Sequence, residues 1–129
     1  MFEVSVEEVF PAGHSLRNYH GKCENVHGHN YRVCVTVRGP DVDENGLLVD
    51  FAELKKLVRA VKDRLDHQYL NDLAPFDKIN PSAENIAKYF YDEIAGGLSP
   101  DGLNKETSAK LYEVKLWETD ITYATYRPQ

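Results

Sequence analysis

Cys23, His27 and His29 lie within seven consecutive positions of the stretch GKCENVHGHNYRVCVTV, at the entrance to an alternating apolar run. Histidines two apart on an extended chain send both side chains from the same face, here the face that continues through Tyr31 and Val33. A third imidazole, His14, ends an earlier strand-like segment and lies beside the pair if the two segments form a hairpin. Three imidazoles around an open position are the ligand set of a catalytic Zn²⁺ site. H-x-H is a weak signal by itself, and histidines hydrogen-bonded within a sheet are the ordinary alternative; spacing alone leaves both readings standing. His20 has no partner at useful spacing and reads as an exposed loop residue.

Three further groups carry chemistry. Cys23 sits in a loop beside Lys22, and positive charge nearby favours the thiolate, so it is either a base or nucleophile or an inert loop thiol. Asp66-His67 falls at the end of a helical pattern. A cationic histidine is favourable at a helix C-terminus by roughly 0.3–1 kcal/mol, and the same pair is also the arrangement of a carboxylate-oriented acid or base. Glu118 follows Tyr112, Val114 and Leu116 in phase, so a carboxylate points where an apolar row points. Burying it requires donors. An arginine can supply them, and so can a ligand with two adjacent N–H groups, such as a 2-amino-4-oxopterin or a guanine. Cys34 alternates with Arg32 and Thr36 and reads as packing.

These groups must be positioned by the elements around them. Phe2, Val4 and Val6 alternate with polar residues in a first strand that runs to His14, with a bend or bulge expected at Pro11 and Gly13. Tyr31, Val33, Val35 and Val37 alternate with Arg32, Cys34, Thr36 and Arg38 in a second strand, expected over residues 29–38. From Asp50 the period changes: Phe51, Leu54, Leu57, Val58, Val61 and Leu65 recur at three and four, predicting a helix to about Asp66 opened by an Asp50/Glu53 capping box. A second helix is predicted after a cap at Asn80 or Ser82, with Pro81 in its first turn, Ala83, Ile86, Ala87, Phe90 and Ile94 buried, and Gly96-Gly97 at its end. KLYEVKLWET and ITYATYRP give two more strands. The order ββααββ, without repeats or linkers, predicts one α+β domain over residues 1–129, with helices on one face of an antiparallel sheet.

Composition sets bounds. The chain has 129 residues, 42% hydrophobic and 28% charged, which is ordinary for a globular protein able to bury its own core. With 21 acidic against 15 basic residues the formal net charge is −6, which argues against a broad nucleic-acid surface. No apolar run is long enough to span a bilayer, and the N-terminus is acidic and alternating, so neither a membrane partner nor a leader is expected and the expected location is cytoplasmic. Two cysteines in different settings favour reduced thiols.

Taken together, PAGHSL, GKCENVHGHNY, LLVDFAELK, LDHQYLN, NPSAEN and WET resemble the 6-pyruvoyltetrahydropterin synthase family along nearly the whole chain and in the same order. The resemblance implies the tunnelling fold: a four-stranded antiparallel sheet with two helices between strands two and three. Trimers would join their sheets into a twelve-stranded barrel, often stacked as hexamers, with active sites at subunit interfaces. It implies Zn²⁺ on His14, His27 and His29, Cys23 as proton acceptor, Asp66 and His67 as an acid/base dyad, and Glu118 as pterin anchor and part of the proton relay. Cys23 and the Asp66/His67 pair would meet across a subunit boundary. The C-x-x-x-H-G-H spacing resembles the carboxytetrahydropterin branch of queuosine biosynthesis, which turns dihydroneopterin triphosphate into 6-carboxytetrahydropterin, acetaldehyde and triphosphate. The biopterin branch is expected to carry a longer insert, and a folate branch to carry Glu at the catalytic position, where Glu24 adjoins Cys23. The rival of another class is a non-catalytic oligomeric pterin- or metal-binding protein. Charge alone nominates Arg17, His20 and Lys22 for the triphosphate.

Overall fold

Alternating apolar residues build an antiparallel sheet in the order β1-β2-β3-β4, from β1 (Phe2–His14), β2 (His27–Gly39), β3 (Lys110–Trp117) and β4 (Tyr123–Tyr126). Between β2 and β3 come two helices, α1 (Phe51–Leu65) and α2 (Ala83–Gly96). The structure is a computed structural model that describes the backbone throughout and every side chain except that of Cys23. No described helix is long and apolar enough to cross a membrane.

The helices cover one face of the sheet. Val33, Val35 and Val37 of β2, Val114 and Leu116 of β3, and Phe10 of β1 are buried there against Leu54, Val58, Val61 and Leu65 of α1 and Ile86, Ala87, Phe90 and Ile94 of α2. Each such side chain removed from water contributes about 1.5–3 kcal/mol. Phe51 departs from the expected stripe: at the first position of α1 it stays half exposed. Asp50 caps α1 by accepting from the Ala52 amide, and Ser82 caps α2 by accepting from the Asn85 amide. Pro81 therefore lies just outside α2 rather than in its first turn.

Three strand features differ from the pattern-based expectation. β1 runs without a bulge through Pro11 and Gly13, in unbroken register from Phe2↔Gly39 to His14↔His27. Proline is tolerated because its missing N–H falls on the edge away from β2, where the Pro11 carbonyl instead accepts from the His67 amide at 2.7 Å. β2 begins at His27, so both histidines belong to the strand. The bulge lies between β2 and β3, where the register steps from Thr36↔Glu113 to Val37↔Leu111. The extra residue, Tyr112, consequently leaves the apolar row, and its ring lies under the Arg38 guanidinium, 3.5 Å from the ring centroid, on the outer face.

Candidate active site

The hairpin of β1 and β2 closes with His14 opposite His27, and His29 follows on the same face. Their ring nitrogens converge: one ligand atom from each of His14, His27 and His29 lies within 4.8 Å of the others. Local hydrogen bonds decide which nitrogen faces inward. His14 Nδ1 is 2.7 Å from the Pro81 carbonyl and His27 Nδ1 is 2.7 Å from the Asn25 carbonyl. A carbonyl only accepts, so each Nδ1 carries the proton and each neutral ring keeps its lone pair on Nε2. These two Nε2 atoms face each other at 2.9 Å.

Two lone pairs at that separation repel unless a cation lies between them. His29 Nε2 is buried with no hydrogen-bond partner among the described residues. A tetrahedral ion with bonds of about 2.0–2.1 Å holds its ligand nitrogens about 3.3 Å apart. The donor set therefore fits a metal of zinc's chemistry, and the carbonyls on Nδ1 are the outer partners that ligating histidines commonly use. Burial lowers the pKa of His14 and of His29 from the ordinary imidazole value, against the opposing pull of Glu118. Both are held in the neutral form that binds metal.

Glu118, just past the end of β3, is held by its amide on the Thr122 carbonyl at 3.0 Å. Its carboxylate points inward as the phase predicts, with Oε1 3.4 Å from His14 Nε2 and 4.0 Å from His29 Nε2. Among the described residues no arginine pairs with it; the polar atoms nearest to it are the Nε2 atoms of these two histidines. It is not sealed away, since it also lines an open groove of about 450 Å³ with Ala83, Glu84 and residues 122–125. Tyr31, one step along β2 from His29, is fully buried, and its hydroxyl has no partner among the described residues. Burial and the nearby Glu118 charge push its pKa well above the ordinary phenol range. Sequence reading placed Tyr31 in the row of the histidines but assigned it only to the scaffold; its orphan hydroxyl has no signature in a strand pattern.

Asp66 and His67 follow α1. The chain leaves the helix at Asp66, and His67 takes a positive φ of 59°, a region that non-glycine residues seldom occupy. This turn lays residues 67–69 along the free edge of β1, with the Gly13 amide donating to the Gln68 carbonyl at 2.9 Å. His67 thereby enters a cleft of about 550 Å³ that it shares with His29, Val26, Gly28 and Tyr69. Asp66 Oδ1 lies 2.8 Å from His67 Nδ1. That contact is misaligned for a hydrogen bond, and Oδ1 is buried without a hydrogen-bond partner among the described residues. The imidazole of His67 is 77% exposed, so solvent or another chain reaches it freely.

Cys23 lies in a short turn, Lys22–Glu24, within the loop joining β1 and β2; its side chain is outside the described residues. His20 and Lys22 are exposed on the same loop. Arg17 is not simply a solvated loop cation. Its guanidinium donates to the carbonyls of Phe76 at 2.7 Å, Ile79 at 3.3 Å and Asn71 at 3.4 Å. Cys34 lies on the outer face, where burial pushes its thiol pKa up, in keeping with a packing role.

Similarity to known proteins extends along the chain. A sequence model described as 6-pyruvoyl tetrahydropterin synthase matches residues 3–129. The 6-carboxy-5,6,7,8-tetrahydropterin synthase of Bacillus subtilis is 37% identical over 99% of this chain and 86% of its own length. The human 6-pyruvoyl tetrahydrobiopterin synthase is 38% identical over 83% of this chain and 71% of its own. Among solved structures, the Caenorhabditis elegans 6-pyruvoyl tetrahydropterin synthase superposes with a TM-score of 0.80 at 32% identity, covering 100% of this chain and 98% of that one. With the sheet order, the inserted helices and the match along its length in agreement, this chain belongs to the 6-pyruvoyl tetrahydropterin synthase family.

Proposed function

We propose that this chain is a zinc-dependent lyase that converts 7,8-dihydroneopterin triphosphate into 6-carboxy-5,6,7,8-tetrahydropterin, releasing acetaldehyde and triphosphate, in queuosine biosynthesis. The observation that supports this most is the convergence of ring nitrogens from His14, His27 and His29 on one point, with a carboxylate beside them. The choice of branch rests on the short spacing from Cys23 to His27 and on similarity to the Bacillus subtilis synthase along 99% of the chain. The biopterin branch, with 6-pyruvoyltetrahydropterin as product, is the second reading, favoured by the 38% identity to the human enzyme.

His14, His27 and His29 would hold the ion. When bound, it supplies a Lewis acid that polarises and acidifies a hydroxyl on the substrate's side chain. Glu118 receives the N3–H and 2-amino group of the pterin ring as a bidentate acceptor in the groove it lines. Cys23, as the thiolate beside Lys22, takes a proton from the substrate's side-chain carbon. His67, with Asp66 beside it, moves protons on the opposite side. The exposure of His67 in one chain supports an assembly of trimers or hexamers in which the dyad of one copy serves the Cys23 loop of another.

Product identity tests the reading. Incubation with dihydroneopterin triphosphate is expected to yield acetaldehyde in step with triphosphate; 6-pyruvoyltetrahydropterin without acetaldehyde would move the assignment to the biopterin branch. Cys23→Ala is expected to lower kcat by about 100-fold or more while leaving zinc content unchanged. Turnover equal to the parent would overturn the catalytic role of Cys23, and a zinc-loaded parent that turns nothing over would leave the non-catalytic binding protein standing.

A further inference from the structure

β1 ends at His14, yet the hydrogen-bonding edge it presents away from β2 does not end there. Along that edge the odd-numbered residues are paired in turn. The Pro11 carbonyl and the Gly13 amide pair with the backbone of His67 and Gln68. Beyond them, two side-chain amides take the place of a strand. Asn71 accepts from the Ser15 amide through Oδ1 at 2.9 Å and donates through Nδ2 to the Ser15 carbonyl at 2.9 Å. Asn80 does the same for Arg17, at 2.8 Å and 2.9 Å. Because each bracket has one donor and one acceptor on the main chain, only one orientation of each amide satisfies it. The Arg17 side chain reinforces the zipper through its carbonyl contacts.

Asn80 is bound at both of its ends. Its side chain grips Arg17, and its own carbonyl accepts from Asn85 Nδ2 of α2 at 2.9 Å. The next residue, Pro81, presents the carbonyl that holds His14 Nδ1. The position of that carbonyl is thus set by the exit of β1 on one side and by the start of α2 on the other. If it shifts, nothing else described keeps the proton of His14 on Nδ1 and its lone pair on the inward Nε2.

We propose that Asn80 is a positioning residue of the metal site: through its bracket on Arg17 and its bond to Asn85 it places the Pro81 carbonyl that sets the tautomer and aim of His14. Asn71 holds the preceding step of the same zipper and acts in the same direction, more weakly, because it does not adjoin Pro81. This inference rests on the reading that His14, His27 and His29 bind zinc.

The test is zinc affinity of the full-length protein, stripped of metal and titrated with Zn²⁺ against a chelator, with Co²⁺ absorption as a second readout of ligand geometry. Asn80→Ala is expected to weaken zinc binding by about 10–100-fold, the usual effect of losing an outer partner of a ligating histidine. It should also alter the Co²⁺ band. Asn71→Ala should weaken binding less. Asn80→Asp keeps the acceptor for the Arg17 amide but sets an oxygen against the Arg17 carbonyl. It is the variant to measure if Asn80→Ala does not fold, and the same loss is expected of it. Zinc affinity and a Co²⁺ spectrum equal to the parent, in a folded Asn80 variant, would overturn the inference while leaving the metal site intact. Parent protein that binds zinc no better than His27→Ala would remove the metal reading, and this inference with it.

Discussion

Val33, Val35 and Val37 at one end of the inner face of β2, and His27, His29 and Tyr31 at the other, follow one alternation but end in different chemical states. The valines are fully buried and have no polar atom to satisfy. At the other end two Nε2 lone pairs face each other at 2.9 Å, and the buried His29 Nε2 and Tyr31 hydroxyl find no partner among the described residues. The same strand geometry serves both ends, so the backbone is not what distinguishes scaffold from site. The distinction is polar satisfaction. The first region needs no further partner, whereas the second holds polar groups that a cation, a ligand or ordered water would complete.

That contrast can be broken most forcefully from the scaffold side. Phe90→Ala, which opens a cavity beneath the sheet, is expected to lower the unfolding free energy by about 3–5 kcal/mol, read by urea denaturation. Zinc bound per folded molecule should stay unchanged, and a lost site in folded protein would mean the two regions are not separable.

Acid should act on the other region. A histidine whose folded pKa lies below its unfolded value of about 6.5 stays neutral in the fold where the unfolded chain takes a proton. Below about pH 6.5 unfolding takes up protons, so the stability of the metal-free protein is complete above that pH and declines as pH falls. His14 and His29 each add up to about 1.4 kcal/mol per pH unit to the slope. A metal-free protein whose urea midpoint is the same at about pH 7.5 and pH 5.5 would contradict buried neutral imidazoles. The smallest effect is expected of Tyr31→Phe. Removing an unpaired buried hydroxyl should raise the stability of the metal-free protein by about 1 kcal/mol, and a loss would mean the hydroxyl is satisfied in solution.

The fold was legible because its signals are local and repeated: the period-two rows of β1 and β2, the change to period three and four at Asp50, the cap at Ser82. The histidine triad was legible in part, since phase brings His27 and His29 to one face and a hairpin brings His14 beside them. Spacing could not choose between a metal set and ordinary sheet histidines; the Pro81 and Asn25 carbonyls add what spacing lacks, by holding the Nδ1 protons of His14 and His27 and leaving their Nε2 lone pairs turned toward a cluster that could hold a metal. Asn80 was read as one of two candidate helix caps, and nothing in its sequence position betrays that its amide reaches residue 17. The backbone contacts of Arg17 were hidden for the same reason, because a carbonyl partner leaves no mark on composition. Tyr112 misled through a bulge, which one strand's pattern does not reveal without its partner.

The extra residue at Tyr112 makes β3 a strand read in two frames. Before it, Leu111 is the inward residue, opposite Val37; after it, Val114 and Leu116 are, opposite Val35 and Val33. Without that one-residue slip, the inward frame set by Leu111 would run through the odd positions, and Glu118 would face out. The bearing of a carboxylate on His14 and His29 is therefore set at the far end of the strand, about 20 Å away at the rise of an extended chain. A single insertion or deletion there, in a stretch with no chemistry of its own, would uncouple Glu118 from the histidines while every site residue kept its identity.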